Sequence, residues 1–227
     1  QQEAATTLNG CLLIVAVAGS GKTTVLINRA VNLVNAGVDP KRILMITFTR
    51  YAARNMATKA KEIGDNKCIG LYTSTFHSFY LDMLRRYGNI IGMDPNFVIL
   101  NSDGSIEDSI SQVMAKYTEY GEVKGFPSFS DIREAYSYAI NTGRPLDQVL
   151  SEFKETMDYV AELCDLYEIW TKEKEATNNY TYDDLMVKML ELMQTENGRN
   201  AVSSLFDYIM VDEYQDINKP QNEILQL

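Results

Sequence analysis

Cysteine and histidine are scarce in this chain of 227 residues. Cys11, Cys68 and Cys164 are odd in number and far apart, with His77 as the single histidine. That excludes a disulfide scaffold and leaves too few ligands for a zinc site. Thirteen glycines and five prolines are a low share and point to long regular elements. The longest apolar run, Cys11 to Gly19, is far too short to span a bilayer. No charged-then-apolar leader opens the chain, so a reducing cytoplasm is the expected setting.

What is present is the composition of a globular protein, with 45% hydrophobic and 23% charged residues. The length suits one large domain or two small ones. Net charge is −10, which alone argues against a protein that coats nucleic acid. Its distribution argues differently. Residues 1–87 hold 11 basic and 5 acidic side chains, a balance of +6, and residues 88–227 carry −16. A basic working face followed by an acidic, solvated body is the simplest reading.

Strands and helices alternate through the first part. The apolar run 11–17 has the length and composition of a buried strand, and Val25, Ile27, Ala30, Val31, Leu33 and Val34 then recur at helical spacing until Gly37. A second strand is expected at 42–48, a helix at 50–63, a third strand at 68–75, and a helix closed by Gly88. Such repeats imply an α/β fold with a parallel sheet covered by helices. From about 89 to 180 the strand signal disappears, and 106–117, 132–140 and 146–174 read as helices. An apolar strand returns at 205–213. The expected organisation is an α/β domain (1–88 and 181–227) interrupted by an all-helical insert (89–180). Aromatic residues of that insert, among them Tyr117, Tyr120, Tyr136, Tyr159, Tyr167 and Trp170, read as a packed bundle.

The segment AVAGSGKTT (16–24) has the form of a phosphate-binding loop, with Ala16 in place of the usual first glycine. Glycines are needed because backbone N–H groups converge on phosphate oxygens only where no side chain intervenes. Ala16, Val17, Ala18, Gly19, Ser20, Gly21, Lys22, Thr23 and Thr24 are the expected nucleotide-binding residues. The following helix adds its positive N-terminus. Lys22 is expected to reach the β- and γ-phosphates, and the Thr23 hydroxyl to ligate Mg²⁺. Such a loop needs a carboxylate at a neighbouring strand end, and YIMVDEYQD (208–216) supplies it. Asp212 would hold Mg²⁺ and Glu213 would take the proton of the attacking water.

With these motifs in place, the chain resembles the first RecA-like domain of the UvrD/PcrA/Rep group of superfamily 1 DNA helicases. TFTRYAARNM (47–56) is similar to the family's TFTNKAAxEM, and TSTFHSF (73–79) to its GTFHS. YTYDDLM (180–186) is similar to LDFDDLL, and VDEYQDIN (211–218) to VDEYQDTN. The opening QQEA resembles the end of the family's Q motif, which implies that Gln1 reads the adenine edge. The sequence departs from the pattern at Val17 (usually Gly), Thr24 (Arg), Arg50–Tyr51 (Asn–Lys), Asn55 (Glu), Ser74 (Gly) and Thr181 (Asp).

The resemblance implies ATP and Mg²⁺ as cofactors, single-stranded DNA or a strand junction as partner, and a bacterial cytoplasmic protein. It also implies a second RecA-like domain carrying the later motifs and arginine fingers. The implied DNA-binding residues are Phe48, Thr49, Arg50, Thr75, Phe76 and His77. Their chemistry agrees, since Thr47, Thr49 and Thr75 offer hydroxyls to phosphates and Phe48 and Phe76 offer faces to bases. Arg50, Arg54, Arg85 and Arg86 add positive field. Two other roles stay open: the ATPase subunit of a recombination nuclease–helicase, and a nucleotide-gated interaction module that never translocates. A metabolic kinase is disfavoured, because no acceptor-substrate motif accompanies the loop.

Overall fold

A computed structural model describes residues 1–17, 19–117 and 125–227. Ala18 and Tyr120 lie outside the described residues. The chain divides into two compact units, Gln1–Phe79 with Arg199–Ile217, and Tyr80–Gly198 with Asn218–Leu227. The second unit opens at Tyr80 and its first segment ends at Gly198, so its limits differ from the expected 89 and 180. The units are defined by packing, so helix Tyr182–Gln194 sits with the helical unit.

The first unit is built on a three-stranded parallel sheet. Strand β1 (Ile43–Thr47) lies between β2 (Tyr72–Thr75) and β5 (Tyr208–Val211). All five β1 residues are buried, as expected of a central strand covered on both faces. The register pairs Thr47 with Thr75 and Ile46 with Val211, so the carboxyl ends of three strands meet at one edge. Helix α1 (Gln2–Thr6) leads to α2 (Lys22–Asn35), which follows left-handed Gly21. Helix α3 (Arg50–Ile63) is capped by Thr49, whose hydroxyl accepts from the Ala52 N–H at 3.0 Å. Ile27, Ala30 and Leu33 of α2, Ile43 and Met45 of β1, Met56 and Ala60 of α3, and Met210 of β5 form one core.

One expectation fails here. Residues 11–17 are not a strand, and Leu13, Val15 (86% exposed) and Val17 face solvent. Apolar composition states what a strand would bury. A strand also needs a neighbour's N–H and C=O groups in register, and residues 11–17 take no ladder partner among the described residues.

In the second unit, α4 (Phe76–Tyr87) runs in from β2 and is followed by β3 (Val98–Ile99), α5 (Asp103–Tyr117) and α6 (Phe129–Thr142). Then come α7 (Leu146–Glu152), α8 (Val160–Ala176), β4 (Asn179–Tyr180), α9 (Tyr182–Gln194), α10 (Glu196–Ser203, crossing back into the first unit) and α11 (Lys219–Gln226). The helix expected over 146–174 is broken, because Phe153 turns extended (φ −86°, ψ 125°) and its carbonyl accepts from Thr156 and Met157. The short parallel pair β3–β4 was invisible in sequence, since two residues are too few to show alternation.

Ile110, Ile132, Leu150, Leu163 and Leu166 pack with Tyr136 and Trp170 as the bundle core. Trp170 donates its indole N–H to Ser109 Oγ at 2.9 Å, and Tyr136 donates to the Leu163 carbonyl at 2.7 Å. Lys174 is buried, 2.7 Å from both Asp184 oxygens and 3.6 Å above the Trp170 ring. Asp184 also closes the capping box of α9 with Thr181.

Burial pushes the Tyr136 phenol far above its ordinary value, with smaller contributions from Cys164 and Tyr167. The unfolded phenol ionises near pH ~10 while the folded one keeps its proton, so stability falls above that pH by roughly 1.4 kcal/mol per unit. Tyr136→Phe is expected to cost about 1 kcal/mol near neutral pH through the lost hydrogen bond. The deficit should shrink as pH rises through ~10 and beyond. Urea unfolding followed by fluorescence of Trp170, which lies in the same core, measures both.

Candidate nucleotide and nucleic-acid site

The phosphate loop is shaped by two left-handed glycines, Gly19 (φ 76°) and Gly21 (φ 87°), a conformation costly for any residue with a Cβ. Behind the loop, α1 is tied to α2 by Asn32, whose amide donates to the Ala5 carbonyl at 2.8 Å. This places Gln1 beside the loop, where its side-chain amide donates to the Ser20 carbonyl. Lys22 Nζ donates to the Ala16 carbonyl at 3.1 Å. Among the described residues the buried Ser20 hydroxyl has no hydrogen-bond partner. Val17 and Thr24 are exposed on either side.

Asp212 follows β5 directly, and its N–H donates to the Ile46 carbonyl at 2.8 Å. Its side chain, 4% exposed, accepts from Thr23 Oγ1 at 2.8 Å, joining positions 189 residues apart. Glu213 adopts a left-handed backbone (φ 52°, ψ 45°), uncommon for a residue with a side chain. Its carboxylate accepts from the Gln215 amide at 2.7 Å. Sequence reasoning passed over Gln215; its signal was the position two residues after the acidic pair. An orphaned hydroxyl, two glycines without Cβ atoms and a paired hydroxyl and carboxylate fit nucleotide phosphates and a hard divalent cation.

The residues expected to touch DNA lie at the same strand ends. Phe48 follows β1 at 41% exposure, and Arg50 opens α3 on the surface. Thr49 is exposed, with its hydroxyl already accepting the cap bond. Thr75 is buried, its hydroxyl donating to Ser78 Oγ at 3.0 Å. His77 is exposed in the first turn of α4. Phe76 differs from expectation: at 3% exposure it belongs to the core, meeting Phe48 edge-on at 6.2 Å. It supports the Phe48 ring and offers no open face of its own.

A family profile, the UvrD/REP helicase N-terminal domain, matches residues 1–227. The chain belongs to this family. Its expected α/β, RecA-like fold is borne out. Among curated relatives, the ATP-dependent DNA helicase PcrA of Staphylococcus aureus (strain Mu50) is 32% identical over 230 residues. PcrA of Leuconostoc citreum is 33% identical over 233 residues. In both cases all of this chain and 30% of the relative are covered. The chain therefore spans about 30% of the length of these relatives and corresponds to a UvrD/REP N-terminal helicase domain. No helix among the described residues is long and apolar enough to cross a membrane.

Asp212 has Thr23 as its only side-chain donor among the described residues. Thr23→Val is therefore expected to leave a buried carboxylate unpaired and to destabilise the nucleotide-free chain by roughly 1–3 kcal/mol. Thr23→Ser should restore most of that loss. Urea unfolding followed by circular dichroism compares the three proteins.

Proposed function

We propose that this chain is the ATP- and DNA-binding amino-terminal part of a DNA-translocating helicase. The observation that carries the proposal is the meeting of the phosphate loop, the Asp212–Glu213 pair and the Phe48 and His77 loops at one sheet edge. Ligands of open α/β sheets bind outside the carboxyl ends of the strands.

Lys22 would exchange the Ala16 carbonyl for phosphate oxygens. Gln1, beside the loop, has an amide able both to donate and to accept at an adenine edge. Thr23 and Asp212 would hold Mg²⁺, which supplies positive charge to the phosphates. Glu213 would accept the proton of the attacking water, with Gln215 fixing its carboxylate. On the same edge Phe48 would stack on a base, while Arg50, His77 and the hydroxyls of Thr49 and Thr75 would face phosphates. The PcrA relatives are named as ATP-dependent DNA helicases, and a second RecA-like domain would complete the catalytic centre. An arginine finger is worth about 10³–10⁵ in rate for related phosphoryl transfers. A bacterial cytoplasmic setting and the domain limits 1–88, 89–180 and 181–227 complete the proposal.

Two outcomes test it. Titration with a fluorescent ATP analogue and Mg²⁺ should show binding that Lys22→Ala weakens about 10- to 150-fold, the range of a charge-assisted hydrogen bond. Equal affinity of the two proteins would remove the nucleotide site. The isolated chain should also show no DNA-stimulated ATP turnover at a helicase-like rate, and such turnover in a phosphate-release assay would overturn the need for a second domain.

A further inference from the structure

Asparagine stands directly before glycine twice in this chain, at Asn9–Gly10 and at Asn197–Gly198. Glycine has no Cβ to keep a preceding side-chain amide away from its own backbone nitrogen. Both pairs therefore carry the same intrinsic chemistry, an attack of that nitrogen on the asparagine side-chain carbonyl. The fold treats them differently. Asn9 and Gly10 are exposed and lie outside any helix or strand, between α1 and the segment that leads to the phosphate loop. Gly10 takes a left-handed backbone (φ 82°), with nothing within 4 Å of the place a Cβ would occupy. Its N–H has no acceptor among the described residues.

Gly198 is the opposite case. It is buried in α10, its N–H donates to Thr195 Oγ1 at 3.0 Å, and a Cβ there would collide with the Leu192 carbonyl. Its nitrogen is committed and its surroundings are full, so reaction there waits for local opening of the helix. The exposed pair has a further neighbour. Leu8 immediately precedes Asn9, and its carbonyl accepts from Arg29 Nη2 at 3.4 Å. Arg29 is 7% exposed, and its Nη1 has no hydrogen-bond partner among the described residues. A buried guanidinium with one neutral acceptor is short of negative charge, and a carboxylate is the acceptor that best matches its fork.

We propose that Asn9–Gly10 is a site of spontaneous deamidation, and that the carboxylate formed at residue 9 pairs with Arg29. The Gly10 nitrogen bonds to Asn9 Cγ while the Cγ–Nδ2 bond breaks, and Nδ2 leaves as ammonia with the proton that Gly10 gives up. Water then opens the cyclic imide at either carbonyl, which gives aspartate or, with the chain running through Cγ, isoaspartate. No atom is oxidised or reduced, and water is the only co-reactant. Either product carries a new negative charge on the residue next to the carbonyl that Arg29 already holds. At that covalent separation the two charges lie within roughly one Debye length, so salt weakens their attraction without abolishing it. The modification fastens the connector between α1 and the phosphate loop, and it stands apart from the nucleotide- and DNA-binding reading.

Peptide mapping by mass spectrometry of the 227-residue chain, held at mildly alkaline and at mildly acidic pH, tests the site. Residue 9 should convert first, and faster at the alkaline pH, because the attacking nitrogen must lose its proton. An isoaspartyl methyltransferase should label the same peptide. Asn197 should keep its amide in the folded chain and convert in urea, where both pairs are open to attack. Equal conversion of the two residues in the folded chain would overturn the site. So would an Asn9 left intact in the folded chain over the time that Asn197 takes to convert in urea. The variant Asn9→Asp carries the charge from the start and tests the pairing. Its urea midpoint should lie above that of the wild type at low salt and fall back towards it as salt is added. With isotope-labelled arginine, the Arg29 side-chain N–H signals should shift in the nuclear magnetic resonance spectrum of Asn9→Asp and exchange more slowly with water. Unchanged Arg29 signals, or a midpoint at or below that of the wild type at low salt, would refute the pairing and leave the deamidation site standing.

Discussion

The parallel pairing of β1 with β2 on one side and β5 on the other is the constraint on which the candidate site depends. The register that sets Thr47 against Thr75 and Ile46 against Val211 carries three remote segments to a single edge. A slip of one residue would turn every side chain of β1 to the opposite face. Because β1 is buried on both faces, such a slip would cost the core as well as the site. The Thr23–Asp212 hydrogen bond then closes the arrangement from the other side, tying the start of α2 to the end of β5. Packing and site geometry are thus two results of the same ladder.

Much of this was legible in the residues. Helix α3 begins and ends at Arg50 and Ile63 as its composition suggests, with Thr49 as cap, and β1 lies within the apolar run that marks it. These features are local, and local chemistry decides them. The phosphate loop was equally legible, because its glycines and lysine are consecutive. What could not be read were matters settled by distant partners. The exposure of residues 11–17 depends on the absence of a ladder neighbour, and the break after α7 depends on bonds from Thr156 and Met157 to the Phe153 carbonyl. Phe76 failed for a related reason. An aromatic residue at a strand end suits both stacking and packing, and only three-dimensional proximity to Phe48 decides between them.

Several exceptions to local preference lie at the same edge. Glu213 takes a left-handed backbone, Gly19 and Gly21 do the same without cost, and Arg50 opposes the dipole of its own helix. The buried Ser20 hydroxyl has no partner among the described residues. In the helical unit three buried polar groups find partners inside the bundle: Tyr136 finds the Leu163 carbonyl, Trp170 finds Ser109, and buried Lys174 finds both oxygens of Asp184. A buried ion pair is expensive to create and costly to break from one side, so that network specifies the bundle more than it stabilises it.

A nucleotide would enter a site in which several groups already have partners. Lys22 is held by the Ala16 carbonyl, Thr23 by Asp212 and Gln1 by the Ser20 carbonyl. Nucleotide binding, as proposed, would therefore be an exchange of hydrogen bonds, and the net gain per bond would be the difference between charge-assisted and neutral partners. Lys22 gains most, because it trades one carbonyl for anionic oxygens. Thr23 gains least, because its present partner is already a carboxylate. Such exchange keeps the loop ordered between binding events, and it returns part of the binding free energy as re-formed internal bonds on release. Among the described residues the guanidiniums of Arg50 and Arg54 have no such internal substitutes, so their gain on meeting an anion would be undiminished. The two halves of the edge thus differ in kind, one exchanging internal hydrogen bonds for those to its ligand and the other gaining bonds it lacked.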